Sequence, residues 1–446
     1  MTATSTPWST LGYLVYKRTY SRRIDEANVD SRSEEFGETV ERVINSCDKQ
    51  LKCEFTPLEE ERLRGYLTGL KGSVAGRFWW QMGTATVDKL GLSSLQNCAF
   101  TTVDNPIRPF TWAMDMLMLG SGVGYNIQRK NVDKLPSVNS SFTCPTRVDS
   151  SDADYIVPDS REGWVKLLGK TLKAEFLSDN KSTFTYSTKM IRGKGAPIKG
   201  FGGVASGPED LCWGIEQISK VLEKRAGKKV RPIDVLDVMN IIGAVVVAGN
   251  VRRSAQIAIG DADDVEYLLA KRWDLGNIPS WRAMSNNSVV CNDISDLHEF
   301  FWDGYEGKGE PYGLINLNLS RKVGRLGESQ YPDPEVQGYN PCAEQSLANY
   351  ETCCLAEVFL PNISSKDEFV DVCKLLYRIN KHSLRLPCHH EETQTIVHAN
   401  MRMGIGITGV LQATEEQTDK LLQPLEIMAN ALKNGFVQKV VGNLLD

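Results

Sequence analysis

An α/β domain preceded by a helical region is the fold class this 446-residue chain predicts, on three observations. Residues 35–70 hold two runs, "EEFGETVERVINSCDKQL" and "TPLEEERLRGYLTGL", whose apolar residues recur at three- and four-residue spacing, the period of a helix face. From about residue 71 the texture changes to short apolar or alternating runs separated by glycine, among them "LQNCAFTTV", "GSGVGYNIQ", "VVVAGNVRRSAQIAIG", "SNNSVVC", "YGLINLNLS" and "MRMGIGITGV". Between those runs lie helical patterns such as "PFTWAMDMLMLG", "LCWGIEQISKVLEKRAG", "PIDVLDVMNIIGAVVVAG" and "KDEFVDVCKLLYRINKHS". Strands alternating with helices are the signature of an α/β domain.

Taken in order, residues 1–70 form the N-terminal helical region, in which Thr56-Pro57 supplies a cap and first turn for the second helix. Residues 71–411 form the α/β domain. Within it, 131–200 is rich in Ser, Asp, Lys and Gly with weak periodicity, which predicts loops or an inserted subdomain rather than core. Residues 412–446 read as a helical tail broken at Pro424 and again at Asn434-Gly435, with no further strand.

Composition narrows the function. A formal net charge of −5 leaves no basic footprint for a nucleic acid or a membrane surface, although a few local arginines can still hold a small anion. The first residues lack an apolar core with a cleavage site, and the chain has no run of 18 apolar residues, so the expected location is the cytoplasm. Eleven cysteines at irregular spacing fit no secreted disulfide framework, and most read as buried, reduced thiols. Cys47, Cys144, Cys212, Cys291 and Cys373 belong to that group.

The stretch "NPCAEQSLANYETCC", residues 340–354, is different. Asn340-Pro341 marks a loop entry, and Glu344 follows Cys342 by two, so in an extended segment a thiol and a carboxylate address one ligand from the same side. Two chemistries fit. A metal site drawn from Cys353, Cys354, Cys388, His389 and His390 lacks the usual spacing of zinc ligands, and adjacent pairs serve one tetrahedral ion poorly. Thiol redox chemistry needs a partner brought close by the fold, and Cys98, in the strand-like "SLQNCAFTTV", is a natural candidate.

Residues 340–354 resemble the finger loop of ribonucleotide reductase catalytic subunits, above all the monomeric, adenosylcobalamin-dependent class II enzymes, where Asn-Pro-Cys-x-Glu precedes a second cysteine by eleven residues. "TLGYLVYKRTY", "SLQNC", "GSGVGYNI", "PDSREGW", "GFGGVASGP", "VVAGNVRRSA", "SNNSV", "NLNLS" and "RMGIGITG" resemble family segments in family order, over residues 10 to about 411. The resemblance implies an α/β barrel with a central finger loop.

It also implies roles. Cys342 matches the cysteine that becomes a thiyl radical, Glu344 the carboxylate that takes the 3′-hydroxyl proton, and Asn340 the amide that binds the sugar hydroxyls. Cys98 and Cys353 match the reducing pair, while Cys354 departs from the family pattern and reads as a buried small residue facing away from Cys353. Ser73 in "GSVAGR" lies in the region near the substrate phosphates. Gly249–Arg253 resembles the loop that carries information from a deoxynucleotide effector, so Arg252 and Arg253, with Asp104, are the expected effector contacts. "GSGVGYN" read alone is a weak dinucleotide fingerprint without the downstream acid.

The partners implied are a ribonucleotide substrate, a deoxynucleoside triphosphate effector and a thioredoxin- or glutaredoxin-like reductant, with an effector-induced homodimer as a further expectation. The radical source is either adenosylcobalamin or a metal-containing small subunit, and no metal is expected on this chain. Family subunits continue well past "GIGITG", so the chain reads as a small phage-type member or one part of a split or truncated protein, and half a barrel leaves strand edges to cover. Two rivals remain on sequence: a non-catalytic nucleotide-binding fragment, and a Cys/His metal-binding structural protein.

Overall fold

The computed structural model describes residues 8–25, 28, 30–177, 182–196, 198, 204–248, 255–311, 313–323 and 332–413. Eight strands form its main sheet: β1 (Gly72–Val74), β2 (Cys98–Thr102), β3 (Gly122–Asn126), β4 (Gln256–Asp261), β5 (Ser285–Val290), β6 (Gly313–Ile315), β7 (Thr352–Phe359) and β8 (Met403–Thr408). β2 to β6 lie side by side in chain order and all run parallel. β7 reverses direction, pairing antiparallel with both β2 and β1 while β8 runs parallel to it.

Helices cover one face. They include α1 (Thr10–Thr19), α2 (Phe36–Lys49), α3 (Pro57–Thr68), α4 (Arg108–Met118), α5 (Arg161–Phe176), α6 (Glu209–Glu223), α7 (Pro232–Val247), α8 (Lys366–Ser383) and α9 (Glu391–Asn400). α7 is apolar almost all round and accordingly buried, whereas α2 buries only the face that carries Phe36, Val40, Val43, Ile44 and Cys47. The cap read at Thr56 is present: its Oγ1 accepts the Glu59 N–H at 3.3 Å, and Glu59 returns a carboxylate oxygen to the Thr56 N–H at 2.9 Å.

Three features differ from the sequence reading. The N-terminal helices are not a separate unit, because their buried residues share one core with Val74, with Cys354, Ala356 and Val358 of β7, and with α8 and β8. The 131–200 stretch, expected as loops or an inserted subdomain outside the core, reaches into the core. It contains α5, whose Leu167, Leu168 and Leu172 sit i, i+1 and i+5 in the main core, and a small parallel sheet of 146–147, 155–156 and 185–187. Its flanking serines, aspartates and glycines dilute that helical pattern over any longer window. Finally, "VVV" at 245–247 ends α7 rather than beginning a strand, and β4 starts only at Gln256.

The tail 414–446 and the segment 249–254 lie outside the described residues. Among the described residues no helix is long and apolar enough to cross a membrane.

The sheet's two faces have different partners. Ala99, Val123, Tyr125 and Ala258 point into the helical core, while Cys98, Phe100, Ile259 and Cys353 form a small cluster on the opposite face with Val336 and Leu347. Strand alternation makes that division, since successive residues address opposite sides. Val336 and Leu347 belong to the chain segment that enters and leaves residues 340–345, so this face is the floor of the candidate site.

Candidate active site

Gly338–Tyr339 and Ser346–Leu347 pair antiparallel and present residues 340–345 as a loop over β2 and β3. The loop is a turn, not the extended segment expected. The Ala343 N–H donates to the Asn340 carbonyl at 2.9 Å, and Ala343 takes a left-handed φ of +64°. Asn340, fully buried, closes it from inside: its Oδ1 accepts the Gln345 N–H at 2.9 Å, and its Nδ2 donates to Glu344 Oε1 at 2.6 Å. The turn itself brings Cys342 and Glu344 together.

Glycine sets how deeply this loop sits. A Cβ on Gly122 would stand 2.9 Å from Pro341 Cγ, and one on Gly124 would stand 2.0 Å from the Tyr339 carbonyl oxygen. On the other side of the contact, a Cβ on Gly338 would strike the Phe100 ring at 2.2 Å. "GSGVGYN" is thus a buried strand whose glycines admit the loop backbone, not a phosphate-binding turn. Side chains fasten the stem: Asn126 Nδ2 donates to the Gln337 carbonyl at 2.8 Å, Thr102 Oγ1 bonds Gln337 Oε1 at 2.6 Å, and Asn349 Oδ1 accepts the Thr102 N–H at 2.8 Å.

Three sulfurs meet on this floor. The Sγ atoms of Cys98 and Cys342 and a carboxylate oxygen of Glu344 all lie within 4.8 Å of one another. Cys353 stands directly opposite Cys98 in the β2–β7 register. Cys98 and Cys353 are buried, whereas Cys342 is exposed at the loop tip, and all three are free thiols. Hydrogen bonding to Cys98, then burial, then the charge of Glu344 push the Cys342 thiol well above the ordinary thiol range. The Cys342 contact pulls Cys98 down, but contact with Cys353 and burial outweigh it, so Cys98 is also raised. Protonated thiols serve hydrogen-atom transfer and are poor metal ligands, which must be thiolates.

The other expected residues are placed as follows. Cys354 is fully buried and faces the second core, where its Sγ lies 3.5 Å from Ser383 Oγ. Ser73 is on β1 opposite Glu357, four residues beyond Cys353 and so about 13 Å along the strand from it, and its hydroxyl is occupied by Trp79 Nε1 and the Val74 carbonyl. The structure does not bring Ser73 to the thiols. Asp104 lies 3.8 Å from Lys134, and Arg252 and Arg253 fall outside the described residues.

A cavity of about 130 Å³ lies between the end of α4, the start of α5 and residues 191–192, 198 and 204–207, with Asp159, Arg161, Trp164, Arg192 and Val246 in its wall. It abuts the end of α7, a few residues before 249–254. Asp104 does not line it; the length of α4, about 15 Å from Arg108 to Met118, separates them.

The five-residue metal site does not form. His389 and His390 instead converge on Asp115, each Nε2 at 2.7–2.8 Å from the same carboxylate oxygen, with Arg161 on the other oxygen. Sequence reasoning missed Asp115, which is hidden in the apolar run of α4. Arg108 donates to His390 Nδ1 at 3.1 Å, and an arginine has no acceptor to offer, so the ring proton sits on Nε2 and is given to Asp115. Burial, then His389, then the two guanidiniums push His390 down to about 3, which keeps it neutral. A hydrogen-bonded network accounts for this cluster better than a cation.

Comparison with known proteins adds to this geometry. Residues 1–84 match the family description "Ribonucleotide reductase alpha domain", and residues 131–222 match "B12-dependent ribonucleotide reductase, insertion domain". The adenosylcobalamin-dependent ribonucleoside-triphosphate reductases of Lactobacillus gasseri and Lactobacillus leichmannii are each 34% identical to the chain over 90% of its length. The chain spans only 62% of the length of those relatives. A crystal structure described as a B-12 dependent (class II) ribonucleotide reductase superposes with a TM-score of 0.77 at 30% identity, covering 91% of this chain and 64% of that one.

Proposed function

We propose that the chain is a ribonucleotide reductase catalytic chain, which reduces the 2′ carbon of a ribonucleotide by thiyl-radical chemistry. One observation carries the reading: Cys98, Cys342 and Glu344 converge within 4.8 Å, with Cys353 beside Cys98. Cys342, as a thiyl, takes the hydrogen atom from C3′ of the ribose, and Glu344 takes the 3′-hydroxyl proton. The 2′-hydroxyl leaves as water with a proton from the Cys98–Cys353 pair. That pair gives two electrons and its second hydrogen, which goes to C2′, and closes as one S–S bond; Glu344 gives its proton back to the 3′ oxygen, and Cys342 returns its hydrogen to C3′. One ribonucleotide and two thiols become one deoxyribonucleotide, one water and one disulfide.

Asn340 holds Glu344 in place until substrate arrives, and then shares its amide with the sugar hydroxyls. The names of the relatives favour a nucleoside triphosphate substrate and adenosylcobalamin as radical source. Exposure of Cys342 and Ala343 at the loop tip fits a group that docks over the loop, and these two residues would meet it first. Adenosylcobalamin held over this loop would supply the organic radical that takes the hydrogen from the Cys342 thiol. A thioredoxin-like dithiol would reopen the Cys98–Cys353 disulfide.

The cavity beside α7 is the effector site in this reading. Arg161 and Arg192 suit phosphate and Trp164 suits a base, and in sequence Arg252 and Arg253 follow a few residues after the lining residues Val245 and Val246.

Incubation of the chain with a ribonucleoside triphosphate, a deoxynucleotide, dithiothreitol and either adenosylcobalamin or a radical-generating subunit tests the proposal. Deoxynucleotide formation with adenosylcobalamin alone is expected. Nucleotide binding without product under every condition would leave the non-catalytic reading.

A further inference from the structure

Arg402 stands just before β8, outside the loop and far from it in sequence, yet it touches both ends of the loop's stem. Its guanidinium is 2% exposed and lies between two buried carboxylates. Nε donates to Glu351 Oε1 at 2.6 Å, while Nη1 and Nη2 grip Asp333 in a two-point contact whose Nη2–Oδ1 limb measures 2.8 Å. Asp333 comes nine residues before Cys342 and Glu351 nine residues after it. One planar cation therefore closes the segment that carries the exposed thiol.

Neighbouring bonds fix the clamp itself. Glu351 Oε1 also accepts from Asn400 Nδ2 at 2.8 Å, and its Oε2 accepts the Ala348 N–H at 2.7 Å. Arg321 completes the entry side, accepting the Asp333 N–H on its carbonyl at 2.8 Å and donating Nε to the Val336 carbonyl at 2.7 Å. The clamp's geometry is suited to one task, because five fixed donors on a guanidinium can bridge two carboxylates and a lysine's point charge cannot.

We propose that Arg402 is a positioning residue for the radical loop: by joining Asp333 to Glu351 it holds Cys342 in contact with Cys98. This rests on the reductase reading for its consequence in turnover, but its structural content can be measured without activity. Contact with Cys98 suppresses the Cys342 thiolate, so a loop that leaves its seat becomes more reactive toward iodoacetamide. Cys98, fixed on β2, reports whether the sheet has loosened as well.

The test labels the full chain with iodoacetamide and follows Cys342 and Cys98 separately by peptide mass spectrometry. Two variants are compared with the parent: R402K, which keeps the charge, and R402M/D333N, which removes the cation together with one carboxylate so that less buried charge is left uncompensated. Both should label Cys342 at least tenfold faster with Cys98 unchanged, and in any condition where the parent turns over, kcat should fall with little change in KM. Unchanged Cys342 labelling in both variants would overturn the proposal. So would parallel rises at Cys342 and Cys98, which mean general unfolding. If the parent makes no deoxynucleotide with any radical source, the reductase reading fails while the labelling contrast still decides the role of Arg402.

Discussion

Cys98 and Cys353 face each other across the antiparallel junction of β2 and β7. Directly opposed residues in such a pair have Cα atoms about 4.5–5.5 Å apart, inside the range a disulfide spans. Mild oxidation should therefore link these two among the eleven cysteines, with little movement of the sheet. Non-reducing peptide mapping checks it: a Cys98–Cys353 peptide is expected, and a Cys98–Cys342 link in its place would contradict the assigned division between reductant and radical thiol.

Replacing Cys342 by serine removes an exposed sulfur and almost no packing. Stability should change by less than about 0.5 kcal/mol, as for most surface substitutions, while turnover disappears. Thermal melting and product assay on the same preparation separate the two effects. Serine cannot stand in, because its O–H bond is too strong for reversible hydrogen exchange with C3′.

Gly124→Ala puts a methyl group where the Tyr339 carbonyl oxygen lies 2.0 Å away. Overpacking of this kind costs about 1–3 kcal/mol and here must lift the loop from β3. Turnover should fall by more than the stability loss alone explains. Gly122→Ala meets the Pro341 ring edge at 2.9 Å and Ala255 Cβ at 3.3 Å, with no backbone atom as close as 2.0 Å, and should be the milder change. A Gly124→Ala protein with parental turnover would show that the loop does not depend on this floor.

Glu175 offers a pH test away from the thiols. It is fully buried between α5 and α6, with Ser219 Oγ on its Oε1 at 2.8 Å, and burial pushes its carboxyl up to about 8. Between about pH 4.5 and 8 the folded chain keeps a proton that the unfolded chain releases, so stability falls as pH rises, by about 1.4 kcal/mol per unit from this group. Above that window the slope from Glu175 vanishes. Glu175→Gln should flatten the decline in denaturation midpoint between pH 5 and 8, and an unchanged slope would mean that Glu175 is ionised in the folded state.

The Asp115–His389–His390 cluster should be insensitive to chelators. Arg108 fixes the His390 proton on Nε2, so dialysis against EDTA should leave the melting temperature unchanged and elemental analysis should find no stoichiometric zinc or iron. A bound ion lost on His390→Ala would reverse that assignment.

Much of the site was legible in sequence because its chemistry is local. Asn340, Cys342 and Glu344 lie within five residues of each other, and Cys98 and Cys353 each fall in a short strand-like run. What could not be read is what holds them there. Arg402, Asp333 and Glu351 meet only through tertiary folding, and each alone looks like an ordinary charged residue. Gly122 and Gly124 mimicked a nucleotide fingerprint because a glycine that admits backbone and one that admits phosphate look the same in a string. Asp115 was masked by its apolar neighbours, and α5 by the polar residues on either side in sequence. Alternation along a strand correctly separated Cys353 from Cys354, but the same rule failed at Cys342 and Glu344, where a left-handed residue replaces the extended backbone.

β7 serves two masters. Its first residues hold Cys353 opposite Cys98, the proposed reducing pair, and its later ones anchor β1 and the helices of residues 10–68 in a shared core. Dissecting the N-terminal segment from the rest would uncover Val74's neighbours on the same strand that aligns Cys353. A shortened chain beginning near residue 71 should therefore misplace its redox partner even though every sulfur is still encoded.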